Sequence, residues 1–400
     1  MPSARVLISG AGIAGTTVAY WLHRHGFEPT VVERAAEIRN GGYKVDIRGA
    51  ALDVVTRMGL RETIGAHRTD VRTGSIVDAA GKRVAAMDGD TFGGRQAQDA
   101  ELLRGDLNRI LHESTKGEVE YLFDDSIAAL DESADHVTVT FASGLVREYD
   151  LVIGADGLHS VTRALAFDRD ESRFIHDLGY YIAIFGVPNH LGLDREELTY
   201  VGPGRTALTY STAQETGAKA MFLFASEPLE YDRRDRARQQ ELLAAAYAGE
   251  GWEVPRLLES MGSAPDFYFD SLSQVRMDRW STGRVVLLGD AAYCASPASG
   301  QGTSLALTGG YVLAGELAAA GGDFAAGLAG YERELRPFVA VNQKLGPANV
   351  KRMVLRSAGQ VRMSMAMLRL LNRLPGKNRL MAKAVEPIHK AATAIVLKDY

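Results

Sequence analysis

A single cysteine, Cys294, stands in 400 residues, so an internal disulfide and a cysteine-built zinc cluster are both excluded. Such cysteine usage fits a reducing compartment, and the cytoplasm is the expected location. No uninterrupted apolar run approaches the roughly 18 to 20 residues of a membrane span. The first strand-like run begins within a few residues of Met1, which predicts no signal peptide. A basic excess is missing as well: the net charge is −5, so no nucleic-acid partner is expected. The histidines show no HExxH spacing and no nucleophile triad is recognisable, so neither a bound metal nor a protein nucleophile is expected to carry the chemistry.

What remains is an ordinary globular composition, 46% hydrophobic and 24% charged, long enough for two domains. Its strongest feature is at the start. Arg5 to Ser9 reads as a buried strand, runs into Gly10-Ala11-Gly12-Ile13-Ala14-Gly15, and continues from Thr16 to Gly26 as a helix. Strand, GxGxxG turn and helix together bind a dinucleotide: the glycines permit the turn, the approach of a pyrophosphate and close helix packing. The helix start offers free N–H groups and its positive dipole end to phosphate. The next strand, Pro29 to Val32, ends in Glu33, 18 residues after Gly15, near the spacing at which an acid reaches an adenosine ribose.

Ala35 to Arg48 is rich in glycine and charge and reads as a loop over a ligand. Ala50 to Met58 fits a helix closed by Gly59, and Val71 to Met87 fits short strands around a turn at Asp78-Ala79-Ala80-Gly81. From Leu102 to Leu111 the pattern is helical, with Leu103, Leu107 and Leu111 on one face and Asp106 as candidate cap. Arg104 stands just before that cap, where it reaches a phosphate or forms a surface ion pair. Asp150 to Arg163 is a buried strand, a turn at Gly154-Ala155-Asp156-Gly157, and a helix, which delivers Asp156 to the crevice of a parallel sheet.

Between Ala164 and Trp280 strands dominate: Tyr180 to Val187, Ala207 to Tyr210 and Lys219 to Phe224, followed by a helix from Arg233 to Ala248. Ile184, Tyr210, Phe222 and Phe224 are the candidate pocket wall, although these aromatics read first as sheet core. A third strand-and-turn unit, Gly283 to Ala292, carries Gly289-Asp290 and is followed by Pro297 and Gly300-Gln301-Gly302, where a helix toward Ala320 begins. The tail from Lys351 to Lys390 holds about ten Lys/Arg against the single acid Glu386. Arg362, Arg369 and Arg373 share one helical face, with Met363, Met367, Leu370, Leu371 and Leu374 available for burial. The favoured expectation is a helix docked on its own acidic protein, with peripheral membrane contact as the alternative.

Three motifs in this order, GxGxxG with Glu33, then Gly154 to Gly157, then Gly289-Asp290 with Pro297 and Gly300-Gln301-Gly302, resemble the single-component FAD-dependent aromatic hydroxylases of the p-hydroxybenzoate hydroxylase type. The chain looks most like their tetracycline-inactivating branch, whose Gly-Gly-x-Leu-Asp loop is similar to Gly41-Gly42-Tyr43-Lys44-Val45-Asp46. The resemblance implies an α/β fold: a Rossmann-like FAD-binding domain (1–70, 104–163, 281–345), a mainly antiparallel substrate domain (71–103, 164–280) and a C-terminal helical segment (346–400). It implies that Gly10, Gly12, Ile13, Ala14, Gly15, Glu33 and Arg34 bind the ADP half of FAD, that Arg104 meets its middle, and that Asp290 holds its ribityl or pyrophosphate region. Pro297 and Gly300 to Gly302 would frame the flavin pyrimidine edge, Asp46 would touch the flavin, Arg39 would meet NADPH, and Asp156 with Gly157 would serve both cofactors.

The activity implied is hydroxylation of an aromatic or polyketide-like small molecule by NAD(P)H and dioxygen through a flavin C4a-hydroperoxide, with no catalytic side chain required. Tyr293 replaces a histidine common in relatives, and Ile184 falls where tetracycline-modifying relatives have glutamine, which implies a more apolar substrate than tetracycline. The rivals are a flavin reductase or halogenase on the same fold and a non-catalytic FAD-binding auxiliary protein. The halogenase signature WxWxIP is absent, because Trp21, Trp252 and Trp280 stand isolated.

Overall fold

The computed structural model describes residues 3–38, 41–96, 98–372 and 377–400. Strand Arg5–Ser9 lies inside a six-stranded sheet ordered Ser281–Thr282, Val285–Leu287, Leu151–Gly154, Arg5–Ser9, Glu28–Glu33, Glu120–Phe123. Every pairing is parallel except that of the short strand Ser281–Thr282. A parallel sheet is covered on both faces, and its strands are accordingly apolar throughout. Val6, Ile8, Leu151 and Ile153 join the cluster beneath helices Ile13–Arg24 and Gly302–Ala319, while Leu7, Val32 and Val152 face the other way. There they meet Val137, Val139 and Phe141 of a three-stranded antiparallel sheet, Ile127–Glu132, Val137–Phe141 and Val146–Tyr149.

Helix Gly302–Ala319 is apolar all round because it is buried from Thr303 to Leu317. It lies against the opening helix so closely that a Cβ on Gly310 would stand 3.0 Å from the Thr17 side chain.

The larger sheet has seven strands ordered Tyr268–Val275, Ile175–Val187, Ala218–Ala225, Arg205–Tyr210, Glu196–Gly202, Thr73–Val77, Arg83–Asp88. It is antiparallel but for the parallel pair Glu196–Gly202 with Thr73–Val77. The architecture is therefore mixed α/β with a parallel first sheet, a largely antiparallel second sheet and C-terminal helices Leu345–Met353, Ala358–Leu371 and Lys377–Ala392. After the last helix the chain returns to the first sheet's helices, where the Tyr400 ring occupies the space over Gly315 and its hydroxyl donates to Glu316 at 2.8 Å.

Two local expectations fail. Residues Lys44–Ile47, expected in a loop, form a strand paired antiparallel with Ala100–Leu103. Leu102 and Leu103 are therefore strand, and the helix runs Arg104–Glu113 with Leu103 as its N-cap; Asp106 sits one turn inside and pairs with Arg109. The ribbon escapes pattern reading because Lys44 and Asp46 look like solvent residues, whereas Glu101 and Glu197 pair with Lys44, and Arg48 with Asp46, in the interior.

Candidate functional site

The strands ending at Ser9, Glu33, Gly154 and Leu287 run in one direction, so all three glycine turns open on the same edge of the first sheet. Gly10 has φ +102° and donates its N–H to Val32 O at 2.7 Å, and a Cβ there would stand 2.7 Å from Ala155 O. A Cβ on Gly15 would come within 1.9 Å of Gly10 O, so that position admits no side chain. A Cβ on Gly289 would meet Ala14 at 2.9 Å, which locks the third motif against the first.

Of the helices that begin at this edge, those at Ile13 after Gly12, at Asp290 after Gly289 and at Gly302 after Gln301 have no side-chain cap, while Ser160 caps the one after the second turn. Uncapped N–H groups at the C-terminal edge of a parallel sheet are ready donors for an anionic or polar ligand edge. Ser296 Oγ, Gln301 Oε1 and Ser304 Oγ are buried there without hydrogen-bond partners. Gly300, at φ +65°, has open space where its Cβ would project. Donor-rich, glycine-lined and anionic-ligand-ready, this edge fits the phosphates and pyrimidine rim of FAD.

Glu33 accepts from Ala11 N and Ala35 N, each at 2.9 Å, and so braces the glycine turn while its remaining lone pairs face outward. Arg34 follows it and is exposed; Arg39 lies outside the described residues. Arg104 donates its backbone N–H to Tyr43 O at 2.9 Å, and its guanidinium lies 3.9 Å from where a Gly12 Cβ would be. Among the described residues no carboxylate forms an ion pair with it, so its charge is available to a phosphate. Asp290 is solvent-accessible yet deep in the crevice. Desolvation pushes its carboxyl above the ordinary range, against the opposing pull of the Cys294 thiol and Arg104.

Other expected residues turn elsewhere. Asp156 accepts from Ser160 Oγ, Thr162 N and Thr162 Oγ1, anchoring the helix that follows, and stays half-buried at the turn. Gln301 donates its side-chain amide to Ile388 O at 3.4 Å, toward the last helix, and its backbone N–H to Ser299 Oγ at 3.1 Å. Pro297 opens the short turn Pro297–Ser299 that positions Gly300.

Asp46 belongs to a buried charge network that pattern reading missed. Its Oδ2 pairs with Arg48 at 2.7 Å, its Oδ1 has no hydrogen bond, and Glu101 stands opposite across the ribbon. Burial raises the Asp46 carboxyl, whereas Glu101, desolvated too, is held low by Lys44 and Arg95. Lys44 also pairs with Glu197 on the second sheet and lies 4.9 Å over the Tyr210 ring. These ions bind the ribbon to the second sheet.

Side-chain alternation divides the pocket candidates. Ile184 pairs with Met221 on one side and Tyr268 on the other, on the face turned to the first sheet, in one apolar cluster with Ala298, Val350 and Val354. Tyr210 shares that face but is fully buried and accepts from Lys44 N at 3.2 Å, so it holds the ribbon. Phe222 and Phe224 point to the opposite face, into the core with Leu243 and Tyr247 of helix Arg236–Ala246. They are not pocket wall: the period of two sends them away from the site.

Tyr268, absent from the expected set, is 39% exposed inside the junction, 6.5 Å from the Tyr43 ring, with its hydroxyl donating to Asp270 at 3.3 Å. His159 bridges Asp270 at 3.3 Å and Glu171 at 3.4 Å. Desolvation opposes its cation, but these two carboxylates hold the imidazole above its ordinary value. Hydrogen bonding to His159, with help from Arg233, takes the Glu171 carboxyl down to about 2. Only the position of His159 after Asp156-Gly157 hinted at this. An open groove of about 880 Å³ lies at the other end of the first sheet, lined by residues such as Arg5, Glu120 and Arg147, and contains none of these groups.

Known proteins show the same combination. The chain is 49% identical over 347 residues to an uncharacterized protein of Mycobacterium tuberculosis, covering 86% of this chain and 93% of that one. It is 42% identical over 342 residues to a flavin-dependent monooxygenase of Legionella longbeachae, covering 86% and 87%. The crystal structure of tetracycline destructase Tet(51) superposes with a TM-score of 0.87 at 36% identity, covering all of both chains. The FAD binding domain family matches residues 3–344, which span all three glycine turns and the second sheet. The chain belongs to that family and is an FAD-dependent monooxygenase.

Proposed function

We propose that the chain hydroxylates an apolar aromatic or polyketide-like molecule held between the second sheet and the glycine-lined edge of the first, with NAD(P)H as transient reductant. Bound FAD supplies the redox chemistry, accepting reducing equivalents and activating dioxygen. In this reading Gly10, Gly12 and the start of helix Ile13–Arg24 receive the pyrophosphate, Arg104 neutralises it, and Glu33 and Asp290 accept from sugar and ribityl hydroxyls. The start of helix Gly302–Ala319 donates to the pyrimidine edge.

The observation that carries the substrate class is the row of side chains on the facing sheet. Ile184 is itself only 2% exposed and underlies Met221 and Tyr268, which retain accessible surface, as does Tyr43 opposite. A wall of this kind binds a flat apolar body by excluding water and leaves polyoxygenated edges without partners. Tetracycline destructase is the name of a structurally similar protein. Antibiotic modification follows for this chain only for a scaffold less oxygenated on the side that meets Met221 and Tyr268.

The test is a panel of phenols, quinones and polyketides offered to the FAD-loaded protein with NADPH under labelled dioxygen. Substrate-stimulated NADPH oxidation and a product one oxygen heavier are expected. Bound flavin that oxidises NADPH without ever incorporating label would sink the hydroxylase reading, and preference for the most polar polyketides would sink the substrate class.

A further inference from the structure

Among the described residues, no helix is long and apolar enough to cross a membrane. Helix Ala358–Leu371 has a different amphipathic character. Met365 is its buried side chain, and the others of its apolar set remain outside: Met363 is 70% exposed, Met367 56% and Leu370 63%. Positions 363, 367 and 370 follow the i, i+4, i+7 spacing of one helical stripe. The stripe therefore points into solvent, contrary to the expectation of burial for Met363, Met367 and Leu370, while Leu371 is half-buried and Arg373 and Leu374 lie outside the described residues.

Arg362 and Arg369 lie together along one side of it, about 100° around the helix, and are exposed; Arg369 forms an ion pair with Asp78 at 3.7 Å. The surrounding 351–390 segment carries about ten Lys/Arg against Glu386, in a chain whose net charge is −5. The helix itself carries Arg362 and Arg369 and no acid. It packs by its other side on strands Arg83–Asp88 and Glu196–Gly202, leaving the stripe free over its length.

We propose that this face docks on an anionic lipid bilayer. The Met/Leu stripe enters the headgroup boundary and the arginines meet lipid phosphates, the arrangement by which interfacial helices combine apolar insertion with charge attraction. A second copy of the chain fits worse: symmetric pairing would set Arg362 and Arg369 of one copy against those of the other. The proposal does not depend on the substrate reading.

The experiment is co-sedimentation of the full-length FAD-loaded protein with vesicles of phosphatidylcholine alone or mixed with phosphatidylglycerol. Binding is expected to the mixed vesicles only and to weaken with salt. Arg362→Gln with Arg369→Gln should lower partitioning by about tenfold or more. Met363→Ser, Met367→Ser and Leu370→Ser together should abolish it, with flavin content and circular dichroism unchanged because all three side chains are outside the core. No vesicle binding, equal binding to neutral vesicles, or variants that bind like the parent would each overturn the proposal. So would a concentration-dependent dimer in sedimentation velocity that the Met/Leu variant dissolves while vesicles are ignored, which would assign the face to a second copy.

Discussion

The two sheets meet at one site but reach it by different means. On the first, neighbouring residues in sequence do the work: Gly10 to Gly15 make the turn, uncap the helix and set the distance to the sheet, and Glu33 braces the turn from the adjacent strand. On the second, the site depends on which residues stand opposite each other. Ile184 joins Met221 and Tyr268 through pairing alone, and the one-residue offset to Phe222 sends a similar side chain into a different core. Local chemistry is tolerant of distant change and intolerant of local change; a register-built wall is the reverse.

The largest effect should come from breaking the first sheet's turn. Gly15→Val must place atoms where Gly10 O already stands, at a cost of about 3 kcal/mol or more. Loss of flavin from the purified protein, read by absorbance, together with a lowered melting temperature checks it. Next is the ribbon that joins the sheets. Lys44→Met leaves Glu197 without its cation and Glu101 with Arg95 alone, and should destabilise by about 3 to 5 kcal/mol in denaturant titration.

That network also predicts an acid limb. Glu101 has a lowered carboxyl pKa in the fold, so its stabilisation is present above the unfolded carboxylate value of about 4.3 and is lost as pH falls through the folded value. Glu101→Gln should cost stability at neutral pH and flatten the acid slope. An unchanged slope would show that other carboxylates carry it.

The two faces of the second sheet separate more gently. Met221→Gln, on the accessible part of the face turned to the first sheet, should change kcat/KM between an apolar and a polyoxygenated substrate by about 1 to 3 kcal/mol with little change in uptake of FAD. Phe222→Leu, on the opposite face, should lower stability by roughly 1 kcal/mol and leave that ratio alone. Equal effects on selectivity would dissolve the distinction between the faces.

The smallest effect concerns His159. Its folded pKa is raised, so its contribution is complete below the unfolded value of about 6.5 and is lost as pH climbs through the folded value. His159→Gln should remove about 1 kcal/mol of stability near pH 6 and little at pH 9, followed by thermal melts across that range.

The glycine turns, the uncapped helix starts and the mixed α/β class were legible in the chain because each depends on residues within one strand, turn and helix, where backbone sterics and N–H supply are decided locally. The ribbon Lys44–Ile47, the anchoring of the next helix by Asp156, and the roles of Tyr210, Tyr268 and Asp270 were not. Lys44 reads as a surface charge until Glu101 and Glu197, 57 and 153 residues away, enclose it. Phe222 and Ile184 differ in nothing a pattern can register; only strand pairing determines which one faces the cofactor edge. Sequence by itself thus determined the cofactor and the glycine turns proposed to receive its phosphates, since the conformation of those peptide units is set by steric rules acting over a few residues. Tertiary structure decided which side chains of the second sheet face the first and which face of helix Ala358–Leu371 stays exposed, because burial and charge neutralisation belong to pairs of segments and not to either segment alone.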